Sequence, residues 1–146
     1  MIKKLLFVLL LCVSKQLYSQ SLTNVGAELM LQESAVIYSE DSFANRNGGE
    51  IKGSGTMDFD LARNFAVINP GVVIGDLSFD SSLLSSPEAG FMLDIQGNAG
   101  IGLENGHDHV FVNGDLTLFG VLDINTIDGF IPATTDSFTI ITYTGN

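Results

Sequence analysis

The 146-residue sequence has no tryptophan, one cysteine, three prolines and only six lysines and arginines against seventeen aspartates and glutamates. Each scarcity excludes something. A single cysteine, Cys12, cannot close a disulfide within the chain, so the fold must be held by its core or by its neighbours. Without tryptophan, and with Tyr38 and Tyr143 as isolated candidates, aromatic stacking on sugars has little to work with. A net charge of -11 repels phosphate backbones and anionic lipid heads, which excludes nucleic-acid binding. Apolar runs are short: the longest uncharged one, Leu5 to Val13, falls well below the roughly 18 residues that span a bilayer.

That run has its own meaning. Lys3 and Lys4 precede it, and a polar, small-residue stretch around Ser19 follows it. Basic patch, apolar run and cleavage region in this order make residues 1–20 a secretory signal peptide, with the mature chain beginning near Gln20 or Ser21. Acylation at Cys12 is disfavoured, because Leu10 and Leu11 put bulky side chains where the processing enzyme needs small ones. The expected location is therefore secreted or at a bacterial cell surface, with no transmembrane segment after signal removal. Beyond the signal the only cations are Arg46, Lys52 and Arg63 against all seventeen carboxylates, a mature charge of -14.

Residues 21–146 have the size of one domain and almost no helical periodicity. Asp58 to Ala66 places Phe59, Ala62 and Phe65 three apart, but Gly55 and Pro70 confine a helix there to two turns, and a strand competes equally. Elsewhere the period is two. Strands are expected at Ala27–Gln32, Ala35–Tyr38, Ile51–Phe59, Phe65–Ile68, Val72–Ile74, around Leu77 and Phe79, and at Phe91–Ile95. They continue at Val110–Val112, Leu116–Phe119, Val121–Ile124 and Phe138–Tyr143, each ended by Gly, Asn or Asp. Pro70 and Gly71 form a turn, and Gly106, Gly114, Gly120 and Gly129 mark further corners. Ser81 to Glu88 reads as a loop excursion.

Two all-β architectures fit. A β-sandwich would use Asn47-Gly48, Asn105-Gly106 and Asn113-Gly114 as hairpin turns. A single-stranded parallel β-helix, or β-solenoid, would use short strands, glycine corners and inward residues stacked at about 4.8 Å. Composition favours the second. Phe43, Phe59, Phe65, Phe79, Phe91, Phe111 and Phe138 are expected in its core.

Functional residues are few. His107 and His109 flank Asp108, and two histidines two apart on one strand share a face, so with the carboxylate they form a weak candidate zinc or copper site. The acidic turns, including Asp76, Asp80, Asp115 and Asp128, suit weak calcium binding but contain no EF-hand loop. No nucleophile elbow or Ser-His-Asp order accompanies the histidines, and no other cofactor is expected.

From Ile68 to Thr144 the chain resembles bacterial autotransporter-like and cell-surface repeat proteins. The matching pieces are Ile68-Asn69-Pro70-Gly71, Gly75-Asp76-Leu77-Ser78-Phe79, Gly106-His107-Asp108-His109-Val110-Phe111-Val112-Asn113-Gly114, Gly120-Val121-Leu122-Asp123-Ile124 and Asp136-Ser137-Phe138-Thr139-Ile140-Ile141. Gly48 to Met57 is similar to the coil that precedes this pattern, and the Ser19-Gln20 signal end is similar to those of Bacteroidetes secreted proteins. The resemblance implies a right-handed parallel β-helix, a turn at His107–His109, and a non-catalytic structural or adhesive role at the cell surface. Relatives of this kind continue into a barrel or sorting domain, so residues 21–146 read as a β-solenoid domain that is the N-terminal part of a longer protein, a truncated product or a short relative with another role, and the resemblance does not carry over surface anchoring. The open coil at the C-terminal side is expected to self-associate, with surface glycans or proteins as other partners. The alternative is a secreted carbohydrate-binding or cation-dependent binding module.

Overall fold

Between Glu50 and Phe59 the side chains alternate without a break between buried and half-buried, as they must where strands press one face on a core and turn the other to water. A computed structural model describes residues 21–146, so the expected signal peptide lies outside it. The described residues form thirteen strands: β1 (Leu22–Val25), β2 (Glu28–Leu31), β3 (Val36–Arg46), β4 (Glu50–Gly53), β5 (Thr56–Asn64), β6 (Val67–Pro70), β7 (Asp76–Phe79), β8 (Ser82–Ser85), β9 (Gly90–Ile95), β10 (His109–Val112), β11 (Leu116–Thr117), β12 (Val121–Thr126) and β13 (Ile141–Tyr143).

The fold is all-β, with two parallel sheets built from strands that the chain visits in alternation. Eight strands make the first sheet, in the order β1-β3-β5-β7-β10-β13 with β8 and β11 beside it; the second runs β12-β9-β6-β4-β2. Every strand pair is parallel, and no strand pairs with its neighbour in sequence. The long strands β3 and β5 bend: the first half of β5 pairs with β7 and the second half with β8. Each circuit of chain thus lays one strand on the second sheet and, on the first, either one long strand (β3 or β5) or two short ones (β7 with β8, β10 with β11). The hairpin role for the Asn-Gly pairs does not hold, because Asn47-Gly48 links strands of different sheets and Asn113-Gly114 links β10 to β11, which pair with β7 and β8.

Stacked circuits bring like positions into register. Phe43 lies beside Ala62 and Ala62 beside Leu83 in the first sheet; Ile51 lies beside Ile68 and Ile68 beside Phe91 in the second. All six are at most 1% exposed and belong to one continuous core with Met57, Leu77, Phe79, Leu93, Val110 and Val112. At about 1.5–3 kcal/mol for each large apolar side chain, this core is the main favourable term in folding. Phe43 and Phe59 also stack, with centroids 5.1 Å apart.

A second, polar ladder runs through the interior. Asn24 Nδ2 donates to Asn45 Oδ1 and Asn45 Nδ2 donates to Asn64 Oδ1, both at 3.0 Å, across sequence separations of 21 and 19 residues. Asn45 also donates to the Gly49 and Val67 carbonyls, so one side chain satisfies backbone at the corner that leads into the second sheet. Glycine is required where circuits pass closest. Gly53 has φ 104°, and a Cβ there would stand 1.8 Å from the Leu31 carbonyl oxygen.

Several expected elements differ. Ile51–Phe59 is not one strand but parts of β4 and β5, broken at Ser54-Gly55 where the chain turns between sheets. Asp58 to Ala66 forms no helix; most of it is β5. Val72–Ile74 is a corner beyond Pro70, the last residue of β6, and Gly71, whose φ is 77°. Ser81 to Glu88 contains β8, whose Leu83 is buried while Leu84 faces out. Phe43, Phe59, Phe79 and Phe91 occupy the core, but Phe65 is 36% exposed, and Phe111 and Phe138 are half-buried. Gly114 and Gly120 fall between β10, β11 and β12, Gly106 precedes β10, and Gly129 follows β12.

Candidate functional site at the inserted corner

Two connections are much longer than the rest: residues 96–108 after β9 and residues 127–140 after β12. Because β9 and β12 are neighbours in the second sheet, both connections leave the stack at the same corner. They meet there. Gln96 Nε2 donates to Asp128 Oδ2, and Gln96 Oε1 accepts from the Asn105 amide at 2.7 Å. The His107 ring lies edge-on to Phe138, centroids 5.3 Å apart, and its Nε2 is 3.1 Å from the Thr139 carbonyl oxygen. Phe138 in turn meets Phe130 edge-on at 6.1 Å. The result is a small lobe held by polar contacts and an aromatic cluster.

Asp108 fastens this lobe to the sheets. Its carboxylate is fully buried and accepts the Gly75 amide at 2.7 Å and the Asp94 amide at 2.8 Å, one on each oxygen. Burial pushes its pKa up to about 7, the two amide hydrogen bonds pull the other way, and the Asp94 charge adds to the rise.

His109, 5% exposed, sits in a chain of polar groups. Its Nδ1 lies 2.8 Å from Asp76 Oδ1 and its Nε2 lies 2.9 Å from Thr142 Oγ1. With the Thr142 hydroxyl donating to Nε2, the neutral ring carries its proton on Nδ1 and donates to Asp76. That assignment satisfies all three groups. Asp76 and His109 are 33 residues apart in sequence but directly paired across β7 and β10.

Asp76 opens onto a cleft of about 620 Å³. Glu33, Ser54, Thr56 and Ser78 line it, and the lobe contributes Ile101, Leu103 and Glu104. Neither Arg46, Lys52 nor Arg63 lines it. Lys52 is occupied elsewhere, 3.5 Å from Glu50 and 3.6 Å from Glu28.

The three residues of the expected metal site are neighbours in sequence but turn to different tasks: His107 to the lobe, Asp108 to the backbone, His109 to Asp76. Among the described residues no group of three or more His, Cys, Asp or Glu side chains is placed to hold a metal ion. The structure instead joins His109 to Asp76 and Thr142, and Asp76 lines one cleft with Glu33 and Glu104. Sequence reasoning missed this set because the 33-residue separation departs from the spacing of about 20 in earlier circuits, so Asp76 and His109 do not look like equivalent positions. Among the described residues no helix is long and apolar enough to cross a membrane. Comparison with protein-family models, with curated proteins and with solved structures finds no match.

Proposed function

We propose that this chain is an exported β-solenoid module with a structural or adhesive role at the bacterial cell surface. The observation that carries the reading is the exclusive parallel pairing of strands whose inward positions repeat circuit after circuit. A right-handed coil is the expected hand, since parallel crossovers adopt it in about 98% of cases. Such a core makes the outer faces regular and leaves their side chains free to vary, which is what a display scaffold needs. The basic and apolar N-terminal segment supports export, and the autotransporter-like motifs support a place at the surface. No step of catalysis is assigned to it.

The test is to produce the full chain in a Gram-negative host and follow both location and adherence. The expected outcome is cleavage near Gln20 or Ser21, exposure to external protease, and greater retention of the producing cells on glycan- or protein-coated surfaces. Cytoplasmic retention of uncleaved chain would sink the export reading; unchanged adherence of surface-exposed chain would sink the adhesive one.

The cleft favours a second reading, a secreted carbohydrate-binding or cation-dependent module. It offers carboxylates and hydroxyls in one concavity beside the inserted lobe, the kind of place in which a ligand buries surface and finds directed polar partners.

A further inference from the structure

We propose that Lys52 and Asn69 become joined by an isopeptide bond, a covalent staple between successive circuits that the folded chain forms by itself. This goes beyond the display role. Residues 21–146 contain no cysteine, so any cross-link between their circuits comes from other side chains.

Lys52 on β4 and Asn69 on β6 are directly paired in parallel register, at the strand spacing of about 4.8 Å. Ile51 and Ile68, the residues before them, are 0% exposed and point inward, so Lys52 and Asn69 stand together on the outer face of the second sheet. Glu50 lies on the same face and touches both. Asn69 Nδ2 donates to Glu50 Oε1 at 2.8 Å, and Lys52 Nζ is 3.5 Å from that same oxygen. Glu28 Oε2 lies 3.6 Å from Nζ. The contact fixes the orientation of the amide, since the opposite one would turn Asn69 Oδ1 toward a carboxylate. With side chains 23% and 29% exposed, and Met30 and Val67 as their respective register partners, Lys52 and Glu50 are partly withdrawn from water. A surface ion pair needs only Lys52 and a carboxylate. Here one oxygen also holds the amide nitrogen, so it stands between an amine and the leaving group of the carbonyl beside it.

The chemistry balances on these three residues. Glu50 accepts a proton from the Lys52 ammonium, and the freed amine attacks Asn69 Cγ. As the Cγ–Nδ2 bond breaks, Glu50 gives that proton to Nδ2 and takes the second proton that Nζ must lose. Ammonia departs with this last proton as ammonium, and Glu50 is again a carboxylate. One C–N bond forms and one breaks, with no oxidant or reductant. Aminolysis of an amide is slow between separate molecules, but fixed register makes it intramolecular, where effective molarities reach about 10⁵–10⁸ M. The step is needed only once per molecule, and loss of ammonia to solvent makes it one-way.

The experiment is intact mass and tryptic mapping of the full exported chain, aged folded at mildly alkaline pH and, in parallel, aged in urea. The folded chain is expected to become lighter by one ammonia. Trypsin should no longer cut after Lys52, and residues 47–63 should appear joined to residues 64–146. The linked peptide decides, because Asn-Gly turns and an N-terminal Gln20 can also lose ammonia. Lys52→Arg and Asn69→Ala should give no linked peptide. Glu50→Gln should slow linkage at least tenfold while keeping the strand signal in circular dichroism. Glu28→Gln, which removes the carboxylate that touches Lys52 but not Asn69, should link at least as fast as the parent. Free peptides ending at Lys52 in the aged folded chain overturn the proposal. So does linkage with loss of water, which would place the bond on a glutamate, and so does linkage that proceeds equally in urea or in Glu50→Gln.

Discussion

Asn64 and Ser85 occupy paired positions on β5 and β8, and both are nearly inaccessible to water. The asparagine ladder stops between them: Asn64 Nδ2 and Ser85 Oγ have no hydrogen-bond partner. A longer acceptor at 85 would extend the ladder by one rung. Ser85→Asn is expected to stabilise the chain by about 1 kcal/mol, a rise of about 4 °C in Tm for a domain of this size. A thermal melt that is unchanged or lowered would show that the rung cannot be completed. The reverse change, Asn45→Ala, removes the hydrogen bonds to Asn24, to Asn64 and to the Gly49 and Val67 carbonyls together, and should cost about 2–3 kcal/mol. Asp108 gives a pH signature at the same scale. Its folded pKa is raised from 3.8 to about 7, so the folded state holds the proton more tightly than the unfolded chain does. Its favourable contribution is therefore full below about pH 4 and disappears as pH rises through about 7, an effect of up to about 4 kcal/mol. The general repulsion among carboxylates runs in the same direction, so the measurement is a difference: urea unfolding of parent and Asp108→Asn at several pH values. The parent should lose more stability between pH 4 and 7 than the variant; parallel curves would mean that Asp108 does not titrate there. Neither the ladder nor Asp108 was legible beforehand. Asn24, Asn45 and Asn64 stand out only once the circuit length is known, and a buried aspartate looks like any turn aspartate in a chain so rich in them.

At the scale of elements, strand identity was readable where breaks interrupt the alternation and unreadable where a corner keeps the alternation going. Phe91–Ile95, Val110–Val112 and Val121–Ile124 match β9, β10 and β12 almost residue for residue, because polar breaks flank them. Ile51–Phe59 hid a corner, since Lys52, Ser54, Thr56 and Asp58 keep the two-residue alternation running straight through Ser54-Gly55, where the chain changes sheet. The all-β class and parallel stacking were within reach of composition and glycine spacing. The inserted lobe was not, because its packing depends on two connections that touch only after β9 and β12 have paired. That dependence can be measured. Gly106 is buried, and a Cβ on it would stand 1.9 Å from the Gly100 carbonyl oxygen. Gly106→Ala should therefore push residues 97–105 outward and loosen the neighbouring connection through His107 and Asp128. Limited proteolysis is expected to cut within residues 97–105 and 127–140 many times faster than in the parent, with little change in the cores of β4 to β7. If the variant is cut no faster, or if one connection loosens without the other, the two do not form a joint lobe.

Across the whole molecule, each layer touches mainly the layers before and after it, so stability should be graded along the stack instead of uniform. The gradient is visible in one sheet. Phe91 and Leu93 on β9 are 1% and 0% exposed, while Leu122 and Ile124, paired with them on β12, are 47% and 45% exposed. Equivalent inward positions therefore bury very different areas, because β9 has a strand on both sides and β12 is the outermost of its sheet. Truncating the inner residue opens a cavity between two layers, whereas truncating the outer one removes a side chain already half in water. Leu93→Ala should cost about 2–4 kcal/mol and Leu122→Ala less than half of that. Amide exchange should follow the same order, slowest in β5, β6, β7 and β9, faster in β1, β2 and β11 to β13. Leu93→Ala should accelerate exchange in both β6 and β12, the layers on either side of it, while Leu122→Ala should accelerate β12 alone. Equal costs for the two substitutions, or exchange that speeds up everywhere at once, would mean that the molecule unfolds as a single cooperative block. A graded response would mean that the layers hold one another in sequence, each stabilised by the strands stacked on either side of it.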